Sequence, residues 1–271
     1  MLAEESFVSE ARRALLHSRV RAEGNLDVMG IGASDGKVYL VASQNGSGVW
    51  TNYNTVISSI GALPSMVLGR GNYGLLQIIG IPDQGTYYQQ MCLAAFQNNT
   101  SSFSAGGTLP SMSPAVPFSG VGIGGGYNGL IVVGVGASDS HLYVADFQDA
   151  NNKGAWSAGS ELPGPGTGGA QTVAIASPVV ASGAGGLQVG GLGTDGQLHM
   201  VASQSSSNGS WTAFGSIPTY ANSNTYSQIV TAPTSGPSLD IIGLDSASNV
   251  VLITYQSSGG TWTQGAVLTG P

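Results

Sequence analysis

Covalent cross-links and charge are both nearly missing from this sequence. Cys92 is the single cysteine, so no intrachain disulfide can form and the fold cannot rest on covalent staples. Only 8% of the 271 residues are charged. Seven lysines and arginines against 14 acids give a formal charge of −7, too few cations for a phosphate-binding stripe or an anionic membrane surface. No nucleic-acid partner is expected. No run reaches the ~18 apolar residues of a membrane-spanning helix, so no membrane insertion is expected either. The opening Met1-Leu2-Ala3-Glu4-Glu5 lacks a basic stretch leading into an apolar one. The expectation is a chain without a visible signal peptide: cytoplasmic, non-classically exported, or part of a virion. His17, His141 and His199 are dispersed and show no metal-ligand spacing, so neither a metal nor a cofactor is expected.

Glycine and apolar residues are plentiful instead. The 43 glycines do not recur at every third position, which excludes collagen. An apolar content of 41% excludes the disordered class. The length suits a closed β architecture. Solubility must come from Ser, Thr, Asn and Gln.

A tandem repeat organises the chain. An apolar strand with glycine next to last recurs as Leu26–Ile31, Leu76–Ile81, Leu130–Val135, Leu187–Leu192 and Leu239–Leu244. Its glycines are Gly30, Gly80, Gly134, Gly191 and Gly243. A glutamine comes after each, at Gln44, Gln97, Gln148, Gln204 and Gln256. Next comes an aromatic residue, at Trp50, Phe103, Trp156, Trp211 and Trp262. Four copies then carry an apolar residue before proline: Leu63-Pro64, Leu109-Pro110, Leu162-Pro163 and Ile217-Pro218. Each copy reads as four short strands with Gly, Asn, Asp and Ser in the turns. The first strand of a copy is read at Ser65–Leu68 or Thr172–Ile175, for example.

Four strands at a period of roughly 50 residues is the signature of a propeller blade. The fold expected is all-β: a five-bladed β-propeller of four-stranded blades, with a short N-terminal helix or arm. The arm is read at residues 1–16 and the propeller at 17–271, in units of about 17–63, 64–109, 110–162, 163–217 and 218–271. His17–Val20 supplies the first strand of the first unit. The Gly-x-Gly-x-x-Gly at Gly120–Gly125 is read as an inner strand, because no helix pattern comes after it.

Three units share a turn: Gly32-Ala33-Ser34-Asp35-Gly36-Lys37-Val38-Tyr39, Gly136-Ala137-Ser138-Asp139-Ser140-His141-Leu142-Tyr143 and Gly193-Thr194-Asp195-Gly196-Gln197-Leu198-His199. Together with the later glutamine and tryptophan, this pattern resembles the repeats of PLL-type and tectonin-like propeller lectins, over residues 24–271. The resemblance implies a carbohydrate-binding propeller. The residues it points to are Asp35, Asp139 and Asp195 with Tyr39, Tyr143 and His199, and Trp50, Trp156, Trp211 and Trp262. Each set also has a plain scaffold reading. An Asp before Gly or Ser bonds its own backbone and closes a hairpin. The rings can pack between blades, and the tryptophans can anchor blade cores. Ala247 and Tyr88 occupy the matching Asp places in the other units, so three hairpin sites are expected rather than five.

No enzyme is expected. Four of the five arginines precede Glu23, the acids are scattered, and no nucleophile elbow stands between a strand and a helix. The expected function is non-catalytic glycan binding through weak, multivalent sites at blade rims or between blades. The alternative is a structural or interaction scaffold, such as a phage head or tail component, docked into a larger protein assembly through residues 1–16.

Overall fold

The computed structural model describes residues 17–20, 26–57, 60–70, 76–83, 85–86, 88–97, 103–110, 116–127, 129–149, 156–164, 171–184, 186–215, 217–219, 225–233 and 238–268. The arm read at residues 1–16 lies outside them. Among the described residues there are twenty strands and no helix. The strands form five four-stranded sheets, each antiparallel and each ordered as the chain runs. That is the blade pattern of the repeat.

Backbone proximity divides the chain into two compact units, Met1–Ser111 and Met112–Pro271. The first holds sheet one, β1 (His17–Val20), β2 (Leu26–Ile31), β3 (Val38–Gln44) and β4 (Trp50–Val56). It also holds sheet two, β5 (Met66–Arg70), β6 (Leu76–Gly80), β7 (Cys92–Gln97) and β8 (Phe103–Ala105). The second unit begins with sheet three, β9 (Phe118–Gly126), β10 (Gly129–Gly136), β11 (Leu142–Asp149) and β12 (Trp156–Ala158). Sheet four is β13 (Ile175–Gly183), β14 (Gly186–Gly193), β15 (Leu198–Ser205) and β16 (Trp211–Ala213). Sheet five is β17 (Tyr226–Pro233), β18 (Leu239–Asp245), β19 (Val250–Gln256) and β20 (Trp262–Val267). The first strand of sheet four begins at Ile175, so Thr172–Ala174 precede it rather than form it.

Burial carries the stability. In sheets two and three the second strand is covered on both faces: all of β6 is buried, as is β10 from Leu130 onward. That explains runs such as Leu130-Ile131-Val132-Val133, which do not alternate. Fully burying one Leu or Ile contributes about 2 kcal/mol. The exposed Lys37–Asp35 pair, at 3.8 Å, contributes well under about 1 kcal/mol. The Leu of each Leu-Pro landmark is a plug. Leu63, Leu109 and Leu162 are all buried. Leu63 lies against Gly80 of the next sheet, where any side chain would come within 2.7 Å of it.

One irregularity repeats in all five sheets. The third strand carries a bulge three residues before its glutamine, at Val41, Ala94, Ala145, Val201 and Ile253, each skipped in the pairing with the second strand. A bulge inserts one residue and reverses the alternation beyond it. In sheet one, Tyr39 pairs with Gly30 and Gln44 with Leu26. The partners stand four apart, so Tyr39 and Gln44 share a face despite their odd spacing.

The landmark glutamines join sheets within the second unit. Gln204 Oε1 accepts the Tyr127 N–H of the β9–β10 turn at 2.9 Å. Gln256 Oε1 accepts the Ala184 N–H of the β13–β14 turn at 2.9 Å. Each carboxamide thus serves the inner hairpin of the preceding sheet. Gly126 and Gly183 permit the approach, since a Cβ at either would strike the glutamine oxygen. The inner strands approach as closely: side chains at Gly122 or Gly124 would collide with Val180. The Gly-x-Gly run is therefore an inner strand.

Replacing Gln204 with Ala strands a part-buried N–H. We expect a loss of about 2 kcal/mol in denaturant unfolding, with a comparable loss for Gly126→Ala. An unchanged midpoint for both would remove the glutamine from this role.

Candidate functional site

The shared turn builds a small polar cluster at one end of three sheets, where the second strand passes to the third. Asp35 Oδ1 accepts the Lys37 N–H at 3.1 Å, and Oδ2 accepts the Tyr39 hydroxyl at 3.0 Å. Asp139 repeats this with the His141 N–H at 3.0 Å and the Tyr143 hydroxyl at 2.7 Å. Asp195 accepts the Gln197 N–H at 2.9 Å and bonds His199 Nε2 through both oxygens, at 2.9 and 3.1 Å. Glycine makes the floor. A Cβ at Gly32, Gly136 or Gly193 would strike the Asp oxygen and press on the Tyr or His ring.

The residue after each Asp adopts positive φ: 66° at Gly36, 59° at Ser140 and 75° at Gly196. Its carbonyl accepts an N–H from the chain beyond the sheet, from Leu63, Ile175 and Tyr226 at 2.7–2.9 Å. The hairpin thus ties its sheet to the segment that leads into the next one. Sheet three adds a neighbour: His141 Nδ1 lies 2.9 Å from Glu161 Oε1.

Hydrogen bonding fixes the ionisation of these groups. The Lys37 N–H and the Tyr39 hydroxyl hold Asp35 below the ordinary carboxyl value of 3.8. Burial pushes Asp139 up, but the Tyr143 hydroxyl and the His141 N–H outweigh it and leave it lowered. Burial likewise opposes the Gln197 N–H and His199 at Asp195, which is also lowered. The phenols move the other way. The bond to Asp35 raises Tyr39, while burial and then Asp139 push Tyr143 well above 10. The single thiol takes no part: burial pushes Cys92, which faces Gly80, up to about 11.

A fourth carboxylate hairpin escapes the repeat alignment. In sheet five Asp245 Oδ1 accepts the N–H groups of Ala247 and Asn249, at 2.9 and 2.8 Å, and Oδ2 accepts Asn249 Nδ2 at 3.1 Å. Asp245 stands two residues after the strand glycine, where other sheets have Gly32, Gly136 and Gly193. It is buried, whereas Asp139 and Asp195 are exposed. Val251, not Asn249, faces the strand glycine, so this hairpin has no aromatic partner. Only the acid with its partner four residues on could have marked it in the sequence.

The tryptophans stand at the opposite end of each sheet. Trp50, Trp156, Trp211 and Trp262 pair directly with Gln44, Gln148, Gln204 and Gln256. In sheet one the pairs Tyr39–Val56 and Gln44–Trp50 mark the two ends of β3. Five residues of strand separate them, about 16 Å. Each Asp therefore meets its Tyr or His, but no Asp meets the tryptophan of its own sheet. Trp211 packs half-buried on the core shared by sheets three and four and Trp262 on the core shared by sheets four and five, and Phe214 meets Trp262 edge-on at 5.9 Å. Trp156 is half-buried and Trp50 is exposed.

No family model and no curated protein sequence matches this chain. Solved structures do. AofleA from Arthrobotrys oligospora is similar at 16% identity with a TM-score of 0.59, over 95% of this chain and 71% of that one. A variant of AofleA with three arginines replaced by alanine matches likewise, with a TM-score of 0.59. The SapL1 lectin, solved in complex with alpha methyl fucoside, is similar at 16% identity with a TM-score of 0.57, over 92% of this chain and 79% of that one. The resemblance to propeller lectins holds at the level of the fold.

Two measurements probe the hairpins. Each lowered Asp stabilises the fold above its unfolded value near 3.8, and that contribution is lost as pH falls through the lower folded value. Thermal stability should drop below about pH 4, and replacing Asp35, Asp139 and Asp195 by Asn should flatten that drop. Separately, Ser140→Gly relieves a non-glycine residue at positive φ and should stabilise by about 1 kcal/mol, while Gly196→Ser should cost a similar amount.

Proposed function

We propose that the chain is a non-catalytic, glycan-binding propeller of five blades, with units near 17–63, 64–109, 110–162, 163–217 and 218–271. Weak sites at the Asp hairpins of the first, third and fourth blades act together. The observation that carries this reading is the unused hydrogen-bonding capacity of those carboxylates. Among the described residues each Asp bonds the N–H two residues on and one ring partner, with Lys37 also beside Asp35, while two carboxylate oxygens offer about four acceptor positions. Asp139 and Asp195 turn the remainder to solvent. A sugar hydroxyl donates to such an acceptor, and Tyr or His beside it offers a ring edge.

The fold shared with the SapL1 lectin supports the reading. Charge narrows it further. No arginine occurs after Arg70, so blades three to five would recognise a ligand without guanidinium groups. That favours neutral sugars over sialylated or sulfated ones. Each shallow site is weak alone, and several on one body raise avidity for a multivalent glycan.

Binding of the full chain to an array of neutral glycans, and then titration with the best hit, tests this. We expect a stoichiometry of three that falls by one with each of Asp35→Asn, Asp139→Asn and Asp195→Asn. Absence of binding to any neutral glycan by folded protein overturns the reading. Binding that survives all three changes but is lost in Trp156→Ala, Trp211→Ala and Trp262→Ala moves the site to the tryptophan end.

A further inference from the structure

The junction of sheets three and four differs from that of sheets four and five at three places, all at the tryptophan end. The first is the Gln204 carboxamide. Gln44 donates Nε2 to the Gly48 carbonyl at 3.2 Å, and Gln256 donates Nε2 to the Gly260 carbonyl at 3.4 Å. Gln204 spends its Oε1 on the Tyr127 N–H, but its Nε2 has no acceptor among the described residues. The residue is only 8% exposed, and an unmade bond on a carboxamide so deeply set is costly.

Turn length explains the free donor. Five residues separate Gln44 from Trp50 and Gln256 from Trp262, whereas six separate Gln204 from Trp211. The shorter turns close tightly: Gly48 N–H donates to Asn45 O and Gly260 N–H to Ser257 O, both at 2.9 Å. In the longer turn the Gly209 N–H reaches back one residue further, to Ser205 O at 3.1 Å. The turn carbonyl that takes up the carboxamide N–H in sheets one and five therefore has no counterpart for Gln204.

The second difference adds a ring. Gln204 holds the N–H of Tyr127, which is 48% exposed, where Gln256 holds that of Ala184. The third removes a cover. Trp262 meets Phe214, which stands three residues after Trp211 in the preceding sheet. The residue three after Trp156, in the matching place for Trp211, is Gly159, and a Cβ there would strike the Val144 carbonyl. Trp211 pairs with Gln204 across β15 and β16, and among the described residues it meets no other ring.

An unspent amide donor is thus tied on one side to an exposed phenol and on the other to an indole without a ring partner. The donor calls for an acceptor oxygen, and aromatic faces attract polarised C–H groups. An acetamido group supplies both, through its carbonyl and its methyl. We infer that this junction is a second glycan site, separate from the Asp hairpins, and that it takes an acetamido sugar. Gln204 Nε2 donates to the acetamido carbonyl, while Tyr127 and Trp211 hold the methyl and the sugar ring. The hairpins at the opposite end accept from hydroxyl groups; this site donates.

A full chain carrying Asp35→Asn, Asp139→Asn and Asp195→Asn isolates this site from the hairpins. In an NMR titration methyl N-acetyl-β-glucosaminide should bind that variant at one molecule per chain, with the strongest saturation transfer at the acetamido methyl. Methyl β-glucoside should bind about tenfold more weakly, the worth of one neutral hydrogen bond. Tyr127→Ala copies Ala184 at an exposed position, so it should weaken binding about tenfold and leave the melting temperature unchanged. Gln204→Glu keeps an oxygen for the Tyr127 N–H but replaces the donor by an acceptor, and should abolish binding. Deletion of Ser206 shortens the turn to five residues, returns a carbonyl to Nε2 and should weaken binding too.

No binding of the acetamido sugar by the folded triple variant overturns the proposal, and leaves the hairpin sites standing where the unaltered chain binds a neutral glycan. Equal affinity for the two glycosides also overturns it, as does binding indifferent to both Tyr127→Ala and the Ser206 deletion. Acetamido binding that is the same in the triple variant and the unaltered chain, with no other glycan bound, supports this site and removes the hairpins from recognition.

Discussion

Close approach of backbone to backbone is the constraint on which the rest of this molecule depends. Sheets that stack without disulfides and nearly without charge must be joined by van der Waals contact and neutral hydrogen bonds, both of short range. Glycine makes the range short enough. Gly122 and Gly124 let β9 lie against Val180 of β13, and Gly126 and Gly183 admit the carboxamides of Gln204 and Gln256. Gly80 makes room for Leu63 in the same way. The abundance of glycine, which composition alone aligns with disorder, here marks density. A β-carbon at any of these places would push two sheets apart and break several contacts together.

The repeat made much of this fold legible. Its glycine, glutamine and aromatic landmarks fall at fixed places in every sheet because each has one geometric task. Glutamine and aromatic stand opposite each other across the third and fourth strands in all five. The bulge at Val41, Ala94, Ala145, Val201 and Ile253 was not legible. It is set by register, not by residue type, since Ala, Val and Ile all serve. Without it, spacing places Tyr39 and Gln44 on opposite faces of β3; with it, they share one. The Asp245 hairpin was hidden because its acid moved to the place of a glycine, so a comparison column by column finds Ala247 instead. The pairing of each Asp with its Tyr or His could be read from the spacing of four. The distance between the Asp set and the tryptophans could not, because sequence adjacency says nothing about which end of a sheet a residue occupies.

That separation bears on function. The scaffold tasks of the tryptophan end and the proposed recognition at the hairpins fall on different residues. Gln204, Gln256, Trp211 and Trp262 are engaged in joining sheets and filling cores, at the end where the inner hairpins lie. The Asp hairpins also tie sheets together, but through the carbonyls of Gly36, Ser140 and Gly196, which leaves carboxylate lone pairs over. A scaffold element whose structural bonds use only part of its capacity can acquire a ligand without loss of stability. Asp245, with three donors on its two oxygens, is buried and takes no part in the proposed recognition.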